Sequence, residues 1–300
     1  MTRRAVLVFS RYQAELRRRG VLDLDDLLLL PLTLFREHTR VRNYYTRRWQ
    51  YLLVDEFQDT NRSQSLLTQH LAGERRNVCV VGDDDQSIYR FRGAQVGNIL
   101  RFREQYGGAK LVTLQVNYRC TSPIVALANR VIEKAKTRYP KTLISHIGSG
   151  SPVRIVRAAD AGAELAFLVR EIKGIQKQGA PWSAIALLFR SKGQIPPAKE
   201  ALRKASIPCE KAEGGVVLTT LHQAKGLEYP YVFLPEVEED TLPHFHSVAE
   251  GEAAIEEERR LFYVGITRAR TQLVLSSSAS RNGHERVVTR FLPETDGAYS

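Results

Sequence analysis

Two short apolar runs, each ending in a carboxylate cluster, constrain this chain most. Leu52-Leu53-Val54 leads into Asp55-Glu56-Phe57-Gln58-Asp59, and Val78-Cys79-Val80-Val81 leads into Gly82-Asp83-Asp84-Asp85-Gln86. Continuous apolar runs of this length, bounded by turn-forming residues, predict buried strands of a parallel sheet. Such sheets bind ligands beyond the carboxyl ends of their strands, where both acidic clusters would fall. An Asp-Glu pair there suits nucleotide chemistry. One carboxylate can hold Mg²⁺, usually through water, and the other can orient an attacking water. The competing reading is that Asp55 and Glu56 cap the helix that follows, since acids favour helix N-termini.

Longer strings narrow the choice. Asp55-Glu56-Phe57-Gln58-Asp59-Thr60-Asn61, and the run from Val81 through Gln86-Ser87-Ile88-Tyr89-Arg90-Phe91-Arg92-Gly93-Ala94, resemble motifs II and III of the UvrD/Rep-type superfamily 1 DNA helicases. Asn117-Tyr118-Arg119-Cys120-Thr121-Ser122 is similar to their motif IV. Leu221-His222-Gln223-Ala224-Lys225-Gly226-Leu227-Glu228 is similar to motif V, and Val264-Gly265-Ile266-Thr267-Arg268-Ala269-Arg270 to motif VI. The resemblance implies an α/β fold of two RecA-like units and an ATP- and Mg²⁺-dependent motor moving 3′ to 5′ on single-stranded DNA. It assigns Asp55 to the metal, Glu56 to the attacking water and Gln86 to sensing the γ-phosphate. Tyr118 would stack on adenine, Arg119 and Arg268 would act as arginine fingers, and Gly226 and Glu228 would face the nucleotide. Tyr89, Phe91, Arg92, Thr220 and His222 would touch DNA. Phe91 stands where the family usually has Trp, and an acidic residue is common near the position of Arg270.

Several of these residues say little alone. Tyr89-Arg90-Phe91-Arg92 interleaves rings that can stack bases with guanidinium groups that can meet phosphates, yet four such residues are more often plain surface or core. A lone His at a strand end, as at His222, is usually structural. His244 and His246 lie two apart, but no companion ligands suggest a metal site. Glu256-Glu257-Glu258 could be an ordinary solvated helix face. No further carboxylate cluster follows motif VI, which leaves a helicase-nuclease reading unsupported.

Strand and helix patterns alternate along the chain. Helices are expected over Ser10–Arg19, from Asp23–Asp26 into Leu27–Leu30 with an interruption at Pro31, over Ser63–Leu71, through Leu165–Ile172, over Pro197–Ala205 and from Glu256 to Tyr263. Strands are expected at Leu111–Leu114, Val153–Val156, Ala184–Phe189, Val216–Thr220 and Gln272–Ser276. Pro140–Pro152 reads as a loop, and residues after about Leu292 as a frayed end. The expected division is an incomplete first motor domain over residues 1–111 and a second over 112–300.

Two features depart from the family. The 300 residues contain no Gly-x-x-x-x-Gly-Lys-Ser/Thr phosphate loop, which cradles phosphates with backbone N–H groups and a Lys. Gly214-Gly215 joins the two sides of the position where the family carries a helical insertion before motif V. The expectation is therefore a truncated motor, whether a natural short form, a gene fragment or an engineered splice, that does not hydrolyse ATP alone and whose missing loop a separate chain could supply; the alternative is a non-catalytic DNA-binding or interaction module. A missing phosphate-loop strand would leave an edge of Val78–Val81 open unless the Ala5–Phe9 run covers it.

Composition fits this reading without selecting it. Lys and Arg exceed Asp and Glu by 44 − 33 = 11, which favours a polyanionic partner such as single-stranded DNA. Three cysteines without metal spacing suggest buried, reduced thiols in the cytoplasm. No leader sequence or membrane-spanning run is evident.

Overall fold

The computed structural model describes residues 3–210 and 214–292. The chain divides into two compact units. The first comprises Met1–Asp84 with Tyr89–Lys110, and the second Asp85–Ile88 with Leu111–Ser300. The short segment Asp85–Ile88 thus packs as part of the second unit.

In the first unit, α1 (Arg3–Arg19), α2 (Asp26–Glu37) and α3 (Thr39–Arg48) precede β1 (Leu52–Val54). The Ala5–Phe9 run lies inside α1, so it supplies no strand, and the helix begins well before Ser10. Three arginines close α1, favourable at the negative end of a helix dipole. Pro31 lies within α2 without ending it. A proline forfeits one backbone hydrogen bond, and packing of α2 against α4 (Arg62–Ala72), with Phe35 buried, holds the helix together. Strand β2 (Val78–Val80) pairs parallel to β1, and two short helices follow, α5 (Gly97–Leu100) and α6 (Phe102–Gln105).

This first sheet has two strands, and they are not buried on both faces as their continuous apolar sequence predicts. Each alternates half-buried and exposed positions. Leu53 is 79% exposed, and its cross-strand partner Cys79 is exposed too. Helix α4 packs on β1, while the Leu53–Cys79 face is bare among the described residues.

The second unit carries a six-stranded sheet. Strands β5 (Arg154–Asp160), β6 (Ile185–Phe189), β7 (Val217–Thr220), β8 (Tyr229–Leu234) and β9 (Ala269–Arg281) pair parallel in the order β5-β9-β8-β6-β7. Strand β10 (His284–Glu285) adds antiparallel to β9. Parallel strands are joined by crossovers: α8 (Ala161–Lys177) connects β5 to β6, and α9 (Ile195–Lys204) connects the neighbours β6 and β7. Their apolar sides build one core with Ile185, Leu187, Phe189, Phe233 and Val274. Helices α7 (Ser122–Ile132) and α11 (Glu252–Ile266) pack together and against β9, with α10 (Phe245–Glu250) beside α11.

Leu111–Leu114 is not a strand. Val112 and Leu114 are 65% and 80% exposed, and pairing begins only at β3 (Val116–Asn117), alongside β4 (Ile144–Ser145). A β-prone run stays irregular where no partner backbone meets it. Strand β4 also breaks the stretch expected to be loop. The chain beyond Leu292 lies outside the described residues.

Candidate functional site

The motif II carboxylates sit directly after β1. Asp55 and Glu56 are exposed. Neither caps α4: Asn61 does so, in a reciprocal capping box with Gln64. Glu56 adopts φ +51°, a left-handed conformation that costs a non-glycine residue about 1 kcal/mol or more. Its backbone N–H donates to Asp55 Oδ1 at 2.8 Å. The buried Gln58 then orders the pair, donating from Nε2 to Glu56 Oε2 at 2.5 Å while its Oε1 accepts from the Asp83 N–H at 3.0 Å. Gly82 makes this bridge possible, since a Cβ there would lie 2.3 Å from Gln58 Oε1. Gln58 thereby links the ends of β1 and β2, a role the sequence reading did not assign to it.

Half-buried Tyr89 and exposed Phe91 and Arg92 form a cluster in the same unit. The two rings pack edge-on, 5.9 Å apart, and the Arg92 guanidinium lies 5.0 and 5.4 Å from their centroids. Phe91 is 67% exposed. Partial burial raises the Tyr89 hydroxyl above the usual tyrosine range.

In the second unit, motifs V and VI meet the segment that carries Gln86, and motif IV packs against both motifs. Arg268 is 1% exposed. Its Nε donates to the Val264 carbonyl at 2.9 Å, Nη1 to the Leu227 carbonyl at 3.1 Å and Nη2 to Gln86 Oε1 at 3.4 Å. Burial, with Arg119 nearby, pushes Arg268 down to about 10. A buried cation in that state favours an anionic ligand. Lys225 Nζ donates to the Gln86 carbonyl at 2.8 Å, so Gln86 is held from both backbone and side chain. Gly265 lets motif V approach α11, because a Cβ would fall 2.5 Å from Leu221 Cδ2.

Arg119 donates to Glu228 at 2.5 Å. That bond, with Arg270 at 3.5 Å, holds the Glu228 carboxyl below its usual range. Arg270 therefore sits beside an acid from motif V. Tyr118 is 69% exposed and leans on His146, ring centroids 4.7 Å apart. Gly226 takes φ +82° in the motif V turn. Thr220 is 7% exposed, and its hydroxyl accepts from the Gln223 N–H at 3.3 Å. His222 is half-buried at the same turn.

Four anchoring residues were not legible beforehand. Arg138 and Lys141 hold the fully buried Asp85 at 2.7 and 2.8 Å. Lys225 sat inside a quoted motif without a role. Glu258, in a run whose alternative reading was a solvated face, is 3% exposed and takes a two-pronged contact from Arg190. Of the cysteines, Cys79 is exposed and Cys209 half-buried, so only Cys120 is the buried thiol expected. The described residues contain no cluster able to hold a metal through His, Cys, Asp and Glu together, and no helix long and apolar enough to cross a membrane.

The sequence model of the UvrD/REP helicase N-terminal domain matches residues 1–107. That of the UvrD-like helicase C-terminal domain matches 112–217 and 210–280. A DNA helicase II of Rickettsia typhi is 40% identical over 209 residues, 69% of this chain and 32% of the relative. An ATP-dependent DNA helicase PcrA of Staphylococcus epidermidis is 40% identical over 201 residues, 67% of this chain and 28% of the relative. The chain thus spans about a third of the length of these relatives. A solved C-terminal domain of a possible DNA helicase from Lactobacillus plantarum superposes with a TM-score of 0.45 at 17% identity, covering 60% of this chain and 94% of that one.

Proposed function

The chain belongs to the UvrD/REP helicase family, and on that premise we propose that it forms the motif II-to-VI part of an ATP-dependent motor acting on single-stranded DNA with 3′-to-5′ polarity in the cytoplasm. One observation carries the reading. Arg268, from motif VI, is buried and reaches Gln86, from motif III, within the second unit. Buried cations without a carboxylate partner suit a polyphosphate.

The residues present fit ATP and Mg²⁺. Asp55 is an exposed carboxylate suited to the metal, and Glu56, ordered by Gln58, is suited to accept a proton from water. Arg119 and Arg268 neutralise oxygen charge, Gln86 orients through its amide, and Tyr118 offers a flat face. When bound, ATP would supply the phosphoanhydride whose hydrolysis drives movement, and Mg²⁺ would neutralise charge on its phosphate oxygens. Gly226 lets the backbone turn, and Glu228 holds Arg119 in place. Tyr89, Phe91 and Arg92 make a stacking and phosphate contact for DNA, with Thr220 and His222 at the motif V turn.

A second reading has its own observation. These 300 residues hold no Gly-x-x-x-x-Gly-Lys-Ser/Thr loop, and positioning by such a loop supplies much of phosphoryl-transfer catalysis. As a free polypeptide the chain would then bind DNA without hydrolysing ATP. Steady-state hydrolysis with saturating single-stranded DNA separates the cases. The chain alone should turn over far below about 1 s⁻¹, the low end for enzymes. Adding a separate fragment bearing a phosphate loop should restore DNA-dependent turnover, and Arg268→Ala or Glu56→Gln should each remove most of it. Restored turnover that ignores both substitutions would leave the binding module as the better reading.

A further inference from the structure

Helix α3 has the sequence Thr-Arg-Val-Arg-Asn-Tyr-Tyr-Thr-Arg-Arg, with four arginines and no acid. Its orientation is fixed by aromatic packing. The Tyr45 ring lies 5.9 Å from Phe35 of α2 and 4.9 Å from Trp49. Phe35 is buried and lies 6.4 Å from His70 of α4. With Tyr45 turned inward, Arg40, Asn43, Tyr44, Arg47 and Arg48 share the outer face, at i, i+3, i+4, i+7 and i+8. All five are exposed, and they line a shallow open groove.

Several arginines on the neighbouring helices are ion-paired. On α1, Arg18 and Arg19 both pair with Glu15, and on α2, Arg36 pairs with Glu37. Among the described residues, Arg40, Arg42, Arg47 and Arg48 have no carboxylate within ion-pair distance. Arg48 instead donates to the Tyr44 hydroxyl at 3.2 Å. Tyr44 is 56% exposed in the middle of the face, and Trp49 is 44% exposed at its end. Like charges crowded on one helix repel, so the face gains most from an anion laid along it. An acidic peptide would use the arginines alone. A nucleic-acid strand would use the arginines and the ring, through its phosphates and its bases.

We propose that this face of α3 is a second DNA contact, outside motifs II to VI, that binds consecutive phosphates of one strand and stacks a base on Tyr44. It rests on the reading that the chain binds DNA. Arg40 to Arg48 spans about 12 Å at 1.5 Å per residue. That length suits about three phosphate contacts, one each for Arg40, Arg47 and Arg48.

The test is fluorescence anisotropy of an oligothymidylate with the 300-residue chain across a range of salt. Each single-strand phosphate contact contributes about 0.7 to the slope of log affinity against log salt. The triple substitution Arg40→Gln, Arg47→Gln, Arg48→Gln should flatten that slope by about 2. It should do so both in the original chain and in a Phe91→Ala, Arg92→Gln background. Tyr44→Ala should weaken binding several-fold with little change in slope. Circular dichroism checks folding. Should the triple variant misfold, Arg40→Gln and Arg48→Gln alone should each flatten the slope by about 0.7. An original chain that binds DNA while these variants keep its slope overturns the proposal and leaves the motor reading intact. No binding at low salt overturns both. Polyglutamate competing as well as an oligonucleotide of equal charge overturns it in favour of an acidic protein partner.

Discussion

Arg138 grips Asp85 through two parallel hydrogen bonds, Nε to Oδ1 at 2.8 Å and Nη2 to Oδ2 at 2.7 Å. Asp85 precedes Gln86, whose carbonyl and amide meet Lys225 and Arg268. The pair therefore fixes one end of the segment that presents Gln86.

Removing Asp85 should be costly. Its side chain is fully buried, and Arg138 and Lys141 are each 11% exposed. Breaking a buried pair leaves uncompensated charge, so Asp85→Ala should lower stability by about 3 kcal/mol. Arg138→Ala should cost about half of that, since Lys141 still faces the carboxylate. Urea unfolding of both variants checks the order. Equal and small shifts would mean that solvent already screens the cluster.

A second charge cluster predicts a pH dependence. Arg281 contacts Glu164, Glu236 and Glu238. Burial raises the Glu236 carboxyl. Burial acts the same way on Glu238, but bonds from Arg281 and Ser278 outweigh it and hold that carboxyl low. A raised carboxyl contributes stability that is lost as pH rises through its folded pKa. A lowered one contributes stability that is lost as pH falls. The two act in different windows, Glu236 above the usual carboxylate range and Glu238 below it, so between pH 5 and 8 only Glu236 lowers the stability of the native chain. In Arg281→Gln both carboxyls are raised, so the variant should be less stable at pH 8 than at pH 5, with the native chain changing less. Urea midpoints at the two values measure this, and a variant more stable at pH 8 would refute it.

The motif strings were legible because their chemistry is contiguous: Asp55-Glu56 and Asn117-Tyr118-Arg119 read directly along the chain. What holds them was not, because it comes from distant residues of ordinary type. Gln58 looks like any glutamine until Gly82 is seen to admit it, and Arg138 like one more surface cation. Leu111–Leu114 has strand character but meets no partner. Leu52–Val54 has the composition of a buried strand, yet Leu53 faces outward. Residue preference sets what a segment can do, and the surrounding backbone decides whether it does so.

That open sheet predicts association. In the described residues β2 pairs on one side with β1 alone, and Leu53, Cys79 and Val81 are exposed beside it. An apolar strand with free N–H and C=O groups templates another chain. Light scattering of the 300-residue chain should show a mass that rises with concentration. Leu53→Lys should reduce the rise by placing a charge on the bare face. A concentration-independent monomer would count against an accessible edge.

Cys120 offers a chemical reporter of motif packing. Its thiol is fully buried and lies 3.6 Å from the Thr267 carbonyl, between motifs IV and VI. Burial pushes it up to about 11. At pH 8 such a thiol is about one part in a thousand thiolate, the form that reacts with alkylating agents. Cys79 is exposed and should be alkylated by iodoacetamide first, with Cys120 protected over the same period. Mass spectrometry of the labelled peptides reads this directly. Arg268→Ala removes the guanidinium that ties Val264, Leu227 and Gln86 together, and should speed Cys120 labelling at least several-fold without changing Cys79. If Cys120 stays protected in that variant, Arg268 is not what closes motif VI over motif IV, and its value lies in its charge alone.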